Sequence, residues 1–163
     1  MELKTKIHAE AGKHDLTITR EFELPVELLF RAHVEADIFE QWMSHEYGTT
    51  KVSKLQAERH GGWEFQTSVA KGVAVIRASG TFHEFIPNSK ITRTFEIEDS
   101  PFGVQLEFLE FQKLSEETSN LRLHVVYRSA ALRDQMLKLP FAKGLDMAHN
   151  RLQEIVGKFD GKR

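Results

Sequence analysis

The feature that most constrains this chain is a succession of six β-rich runs between Tyr47 and Tyr127, which is followed by one amphipathic helix. The runs are TTKVSKL, GGWEFQTSVA, AVIRASGTFHEFI, KITRTFEIE, VQLEFLEF and LRLHVVY. Short turn sequences separate them, among them Lys71-Gly72 and Pro87-Asn88-Ser89. Short connections join antiparallel neighbours, whereas parallel strands need long crossovers. The order therefore predicts an antiparallel sheet and argues against a doubly wound fold.

A further strand and two short helices precede these runs. The segment LTITREF (16–22) alternates apolar and polar residues, as a half-buried strand does. Pro25 then begins a stretch in which apolar residues recur at helical spacing as far as Met43. Proline suits the first turn of a helix, because the N–H that it lacks has no partner there. Residues 1–13 are polar and aperiodic, so we expect an N-terminal arm, either loose or an edge extension, followed by a single domain over residues 14–160.

The last segment predicts one long helix that starts near Pro140. Its apolar residues lie on one stripe: Phe141, Leu145, Ala148, Leu152, Ile155 and Phe159. Gly144 weakens this helix, since glycine has low helix propensity. We therefore expect Gly144 where the helix passes close to the sheet. Together these elements predict an α+β fold in which a curved antiparallel sheet of six to seven strands wraps around the C-terminal helix.

The widths of these elements predict a pocket. A helix is about 10 Å wide, whereas six or seven strands at about 4.8 Å spacing spread about 30 Å. The helix pair at residues 25–43 must close the remaining trough, and incomplete closure would leave an apolar cavity. Twelve phenylalanines fit either a lined cavity or an ordinary bulky core. The candidate pocket residues are Trp42, Trp63, Phe65, Phe82, Arg93, Phe95, Phe108, Tyr127, Phe141 and Leu145, and by alternation the strand residues among them face inward.

Four ionisable side chains lie within otherwise apolar strand runs. Arg93 alternates in phase with the apolar residues of its run, which predicts that it faces the interior. A buried arginine is costly unless it is paired, so Arg93 is a candidate polar anchor for an acidic or hydroxylated ligand. His124 is out of phase with its apolar neighbours and is expected to face water. The pattern leaves the orientations of Arg77 and His83 open.

Motifs for catalysis or metal binding are not found. The sequence has no G-x-S-x-G, Walker, G-x-G-x-x-G or H-E-x-x-H motif. His83 and Glu84 are adjacent in a strand run, so they should point to opposite faces. Asp146 and His149 are helical neighbours that fit either half of a metal site or a solvated polar face. Since no second half-site is evident, we expect neither metal nor cofactor and no catalysis.

Composition limits the possible partners. The formal charge is −2, from 22 basic and 24 acidic residues, so the electrostatic basis for nucleic-acid binding is missing. The absence of cysteine excludes disulfides, thiolate nucleophiles and cysteine zinc sites. No signal-like segment and no run of about 18 apolar residues is present. We expect a cytoplasmic protein that does not insert into membranes and is a monomer or a homodimer.

The order of several short motifs resembles a known family. Over residues 16–158 the chain is similar to the activator-of-heat-shock-protein-90-ATPase-like branch of the START/SRPBCC superfamily. The residues that carry the resemblance are Arg20, Phe22, Pro25, Trp42, Gly61-Gly62-Trp63, Gly80, Phe82, Glu84 and Pro87. Met43 departs from the family pattern, because many members have a second tryptophan there. The resemblance implies the helix-grip fold, with two helices after the first strand and a long helix at the C-terminus.

The resemblance leaves several functions open, since relatives act on the chaperone or bind lipids, hormones or polyketides. We consider three hypotheses. The first is a non-catalytic protein that binds a hydrophobic small molecule or lipid between the sheet and the last helix. The second is a module that interacts with a chaperone. The third is a cyclase- or hydrolase-like enzyme in which pocket histidine and arginine residues, with Arg93 and His83 as candidates, take part in the reaction.

Overall fold

The computed structural model describes residues 3–46, 48–69 and 74–159, and within these it contains one sheet and four helices. The strands are β1 (Lys6–His8), β2 (Asp15–Phe22), β3 (Gly48–Leu55), β4 (Gly62–Val69), β5 (Ala74–Ile86), β6 (Lys90–Ile97), β7 (Val104–Lys113) and β8 (Ser119–Val126). The helices are α1 (Val26–Val34), α2 (Ala36–Met43), α3 (Ala130–Leu137) and α4 (Phe141–Gly157). The predicted turn at Lys71-Gly72 and the residue Tyr47 lie outside the described residues.

The sheet is antiparallel throughout, in the order β1-β2-β8-β7-β6-β5-β4-β3. This confirms the predicted fold class, a curved antiparallel sheet with a long C-terminal helix. The strand count is eight instead of six to seven. The additional strand is β1, which forms within the predicted N-terminal arm and pairs Ile7 with Ile18 of β2.

Alternation along β2 sets its inner face. Leu16, Ile18 and Phe22 are buried, while the intervening side chains are only partly buried. The fourth inward residue is Arg20, which is 2% exposed. The next segment turns at Pro25 into α1, whose Leu28 and its neighbours fill the trough beside β7 and β8.

The helix α4 lies inside the concavity of the sheet. Leu152 and Val156 are fully buried, and they share one core cluster with Phe82 of β5 and Leu109 of β7. At its other end, α4 packs against a second cluster on β2 and β8. The prediction that Gly144 marks a close approach to the sheet is wrong, because apart from the neighbouring backbone of α4 no atom lies within 4 Å of the position a Cβ would take there. In the described part of the chain, no helix has the length and apolar character needed to cross a membrane.

Candidate functional site

A small cavity lies between the sheet and the helix pair α1–α2. Its volume is about 20 Å³, enough for one water molecule. Its lining comes from both helices and four strands: His33, Phe39, Val52, Lys54, Leu55, Trp63, Glu64, Phe65, Phe82 and Arg93. Lys54 and Glu64 are exposed, so the cavity reaches the surface beside them. The wide pocket predicted from the element widths is not confirmed, because helices and aromatic rings fill most of the trough.

Aromatic rings form one wall of this cavity. Trp63 stacks on Phe65 with ring centroids 5.7 Å apart, and it lies 5.3 Å from the ring of Phe95. Gly80 pairs directly with Trp63 across β4 and β5. A side chain at Gly80 would collide with Cζ2 of Trp63 and with the backbone carbonyl of Thr94. The glycine therefore makes room for the indole on the inner face.

A buried ion pair forms the polar part of the site. Arg93 of β6 and Glu107 of β7 are direct cross-strand neighbours, and Arg93 Nε donates to Glu107 Oε1 at 2.8 Å. Gln105 Nε2 donates to Glu107 Oε2, also at 2.8 Å. The Arg93 and Glu107 side chains are 15% and 6% exposed. The prediction that Arg93 faces the interior is confirmed. The sequence analysis missed Glu107, although an inward arginine requires a partner and Glu107 lies opposite it.

The site contains one buried donor without an acceptor, and beside it a guanidinium that is bonded through only one of its nitrogens. The indole N–H of Trp63 is buried and has no hydrogen-bond partner among the described residues. The guanidinium of Arg93 lies 5.1 Å from the centroid of the Trp63 ring. Its Nε is occupied by Glu107, whereas the described part of the chain provides no hydrogen-bond acceptor to its two Nη groups. Unpaired buried donors are rare in folded proteins, so the indole N–H of Trp63 is the exceptional polar group of this site.

His33 adds no positive charge to the cavity at neutral pH. Burial lowers the pKa of His33 to about 4, although its hydrogen bond to Leu29 acts in the opposite direction. Its Nδ1–H donates to the Leu29 carbonyl at 2.8 Å. Burial also raises the pKa of Tyr127, and the nearby Glu107 carboxylate adds to this effect. The imidazole and the phenol are therefore both uncharged near pH 7.

The structure divides the predicted pocket residues into several groups. Trp63, Phe65, Phe82 and Arg93 line the cavity, and Phe95 packs against Trp63. Trp42 is core, with its indole N–H donated to the Ala32 carbonyl at 2.8 Å. A separate cluster at the other end of α4 contains Tyr127, Phe141 and Leu145. Four of the ten candidates thus meet at one cavity, and ligand contact by any of them stays a prediction.

The prediction that Phe108 faces the interior is wrong. Phe108 is 36% exposed on the outer face of β7 and stacks on His124, with ring centroids 5.6 Å apart. The inward residues of β7 include Leu109 and Phe111, which are buried and pair with Leu123 and Leu121 of β8. A shift of one residue exchanges the two faces of a strand. The outward orientation predicted for His124 is confirmed, and its Nε2 bonds to Asp15 at 2.8 Å.

Arg77 and His83 lie outside the cavity, and both are exposed. Pairing between β5 and β6 shifts register between Phe82 and Phe85, which is a β-bulge. The bulge exposes both His83 and Glu84, so the prediction that they point to opposite faces is wrong. With His83 at the surface, the structure does not bring together the histidine and arginine named for a catalytic role.

Asp146 and His149 bond to other parts of the chain. Asp146 Oδ1 accepts from the Thr5 backbone N–H at 2.9 Å and from Arg20 Nη1 at 3.4 Å. His149 Nδ1 and the Thr5 hydroxyl share a hydrogen bond of 2.7 Å. Burial lowers the pKa of His149 to about 3. No group of three or more metal-ligating side chains is found in the described part of the chain. The buried Arg20 also bonds Asn150 at 2.9 Å, so this cluster fastens α4 to β2 and the N-terminal arm.

A larger groove lies on the outer face of the sheet. Its volume is about 320 Å³, and its walls are mainly polar. The residues that line it are Lys54, Gly62, Trp63, Glu64, Ser79, Gly80, Thr81, Thr94, Glu96 and Val104. Its polar character distinguishes it from the apolar pocket that the sequence predicts.

Comparison with known proteins agrees with this architecture. Crystal structures of proteins from Rhodobacter sphaeroides and Mycobacterium smegmatis superpose with TM-scores of 0.86 and 0.83, each at 15% identity. Each alignment covers 96% of this chain, together with 99% and 98% of the respective neighbour. A crystal structure from Chromobacterium violaceum superposes with a TM-score of 0.75 at 18% identity, covering 90% of this chain and 99% of that one. At these identities the likeness shows the fold alone. The search of the curated proteins found no match.

The sequence itself identifies the family. The model of the activator of Hsp90 ATPase homolog 1-like proteins matches residues 23–157, which span both helices after β2, strands β3 to β8 and the whole of α4. All the residues that line the small cavity lie within the matched segment. The chain therefore belongs to the activator of Hsp90 ATPase homolog 1-like family.

Proposed function

We propose that this protein binds a small, largely apolar molecule between the sheet and its helices, at the cavity beside Trp63 and Arg93, without catalysing a reaction. The observation that carries the proposal is the combination of an aromatic wall with the unpaired, buried indole N–H of Trp63 at one cavity. An apolar cavity with a few convergent polar groups is the usual form of a ligand site. A ligand there would bury its body against Phe39 and Phe65 and satisfy donors that the chain leaves open.

Binding must enlarge the cavity, because about 20 Å³ holds only one water. The wall opposite the aromatic rings is formed by α2 and the edge strand β3. Two hydrogen bonds join these elements: the Val52 N–H donates to Glu40 Oε2 at 2.7 Å, and the Thr50 N–H donates to Ser44 Oγ at 2.9 Å. Because polar side chains and not apolar packing make these two bonds, this is the wall that we expect to move. We expect ligand entry between α2 and β3.

A ligand screen tests this proposal. Native mass spectrometry of freshly purified protein detects molecules retained from the expression host, and a thermal-shift screen covers lipids and aromatic compounds. A ligand at 100 times its Kd stabilises by about 2.7 kcal/mol, which raises Tm by about 5–10 °C in a chain of this size. Val52→Phe fills the cavity and should abolish the shift, whereas Val104→Phe on the outer face should leave it unchanged. Absence of any stabilising ligand, or loss of binding in Val104→Phe alone, contradicts the proposal.

A chaperone-associated role is the second candidate. The matching family model is named for homologues of a chaperone ATPase activator. The structure adds an exposed apolar strip on the outer face of β7, formed by Val104, Leu106 and Phe108. Such a strip is a surface on which another protein can pack. An ATPase assay with the chaperone of the same organism decides the matter: stimulation that Phe108→Ser removes supports this role, and unchanged turnover with the wild-type chain contradicts it.

A further inference from the structure

We infer that the interior site selects ligands with an uncharged carbonyl group, whose oxygen accepts hydrogen bonds from the Nη groups of Arg93 and the indole N–H of Trp63. This inference rests on the proposed function and specifies the chemistry of the ligand. The cavity is lined by two kinds of N–H donor, from Arg93 and from Trp63. Arginine carries five N–H donors, and the indole carries one. Glu107 occupies only the Nε of Arg93, and no described residue accepts from Trp63.

The unpaired groups are donors, so the ligand must supply an acceptor. The carboxylate of Glu107 already accepts from Arg93 through one oxygen and from Gln105 through the other, each at 2.8 Å. A ligand hydroxyl that needed to donate would therefore compete with existing bonds. The Cζ atom of Arg93 lies 5.1 Å from the centroid of the Trp63 ring, and both side chains line the cavity. In this proposal the two lone pairs of one carbonyl oxygen accept from an Nη group of Arg93 and from the indole N–H of Trp63.

The local charge favours a neutral acceptor over an anion. Arg93 is already paired with Glu107 at 2.8 Å, and both side chains are largely buried. A ligand carboxylate would place a second negative charge on the same guanidinium in a poorly hydrated site, where like charges repel strongly. His33 provides no compensating charge, since its ring is neutral near pH 7. A carbonyl oxygen uses the same donors and adds no net charge.

The size of the cavity fits the same group. Its volume of about 20 Å³ accommodates one oxygen-sized atom. The carbonyl oxygen would take the position that a single water can fill, and the apolar body would extend past Phe39 and Phe65 to the opening beside Lys54. Only the body of the ligand would then require α2 and β3 to move.

Nuclear magnetic resonance of the full chain tests the inference with three matched probes: acetophenone, benzoate and ethylbenzene. The readout is the indole N–H resonance of Trp63, which Trp63→Phe assigns. Trp42 is an internal control, because its N–H is already bonded to Ala32. A hydrogen bond to a charged group contributes about 1.5–3 kcal/mol, a factor of about 10–100 in Kd. We expect acetophenone to shift the Trp63 resonance and to bind about 10–100 times more tightly than either other probe.

Variants separate the role of Arg93 from general effects on the fold. Arg93→Lys keeps the charge beside Glu107 but removes the planar fork, and should weaken acetophenone binding about tenfold without affecting ethylbenzene. Arg77→Lys on the outer face should change neither. The carbonyl inference is overturned if ethylbenzene binds as tightly as acetophenone, or if benzoate binds more tightly than acetophenone. Either result leaves the proposed function intact. If none of the probes binds and the ligand screen is also negative, both proposals fail.

Discussion

Replacing Arg93 by methionine is the perturbation that most sharply tests the polar interior. The change removes one partner of an ion pair whose side chains are 15% and 6% exposed. Glu107 would keep only its bond from Gln105 and would remain a buried carboxylate without a countercharge. Breaking a buried pair in this way costs about 3–5 kcal/mol. We therefore expect the free energy of unfolding of Arg93→Met to fall by about that amount.

Urea unfolding at pH 7 measures this loss. With a slope of about 2–3 kcal/mol per molar urea, the midpoint should fall by about 1–2.5 M. The double variant Arg93→Met/Glu107→Met should recover most of the loss, since an apolar pair of similar volume needs no countercharge. Arg77→Met on the exposed face is the control, and should stay within about 0.5 kcal/mol of the wild type. A loss below about 1 kcal/mol for Arg93→Met would refute the reasoning, because it would show that water solvates the pair.

Three further outcomes follow from the burial of individual side chains. Phe82→Ala should cost about 3–5 kcal/mol of unfolding free energy, whereas Phe108→Ala on the outer face should cost less than about 1 kcal/mol, as denaturant melts will show. The pKa values of buried His33 and His149 lie at about 4 and about 3. As the pH drops, these histidines therefore take up protons in the unfolded chain before they do so in the folded chain. The free energy of unfolding should fall between about pH 6.5 and pH 4, by up to about 1.4 kcal/mol per pH unit for each histidine. Urea melts at pH 7 and pH 5 measure this slope, and an unchanged free energy of unfolding would contradict it. Thr5→Val removes the hydroxyl that bonds His149 and should cost about 1–3 kcal/mol, with faster amide exchange in β1 if the arm is fastened as described.

The fold could be predicted because local pattern and long-range pairing agree. Turn residues separate the β-rich runs by short gaps, and every pair of neighbouring strands is antiparallel. The strand β1 was predicted only as one of two alternatives, an edge extension or a loose arm, because three residues are too few to show alternation. Its position depends on contacts with distant residues, such as the bonds from Thr5 to α4. Apolar and polar periodicity reflects only residues that are close in sequence, so it contains no signal for a strand such as β1 that depends on distant contacts.

The side-chain orientation along β7 was predicted incorrectly, although the sequence contains a feature from which it could have been predicted. Val104, Leu106 and Phe108 alternate as an apolar face, yet they point outward. The inner face instead carries Gln105 and Glu107 at one end of the strand, where Glu107 accepts from both Gln105 and Arg93. An inward arginine was correctly predicted on β6, and its need for a carboxylate on the neighbouring strand would have reversed the assignment of β7.

The buried side chains Arg20 and His149 were missed for a different reason. Arg20 is in phase with the apolar residues of β2, so alternation alone would have placed it inside. The sequence analysis gave Arg20 no orientation, and it offered for His149 only a solvated polar face or half of a metal site, since burial of a polar group is costly without partners. Their partners come from Asp146, Asn150 and Thr5, which are distant in sequence and become apparent only once α4 lies against β2.

Intermolecular nuclear Overhauser effects measured on the acetophenone complex test the central claim most directly, because they locate the ligand within the molecule. If the ligand binds inside the sheet, its ring protons should give contacts to Phe65 and its methyl group should lie close to the indole N–H of Trp63. Contacts to Thr94 and Val104 instead would place the molecule in the polar groove on the outer face and would contradict an interior site.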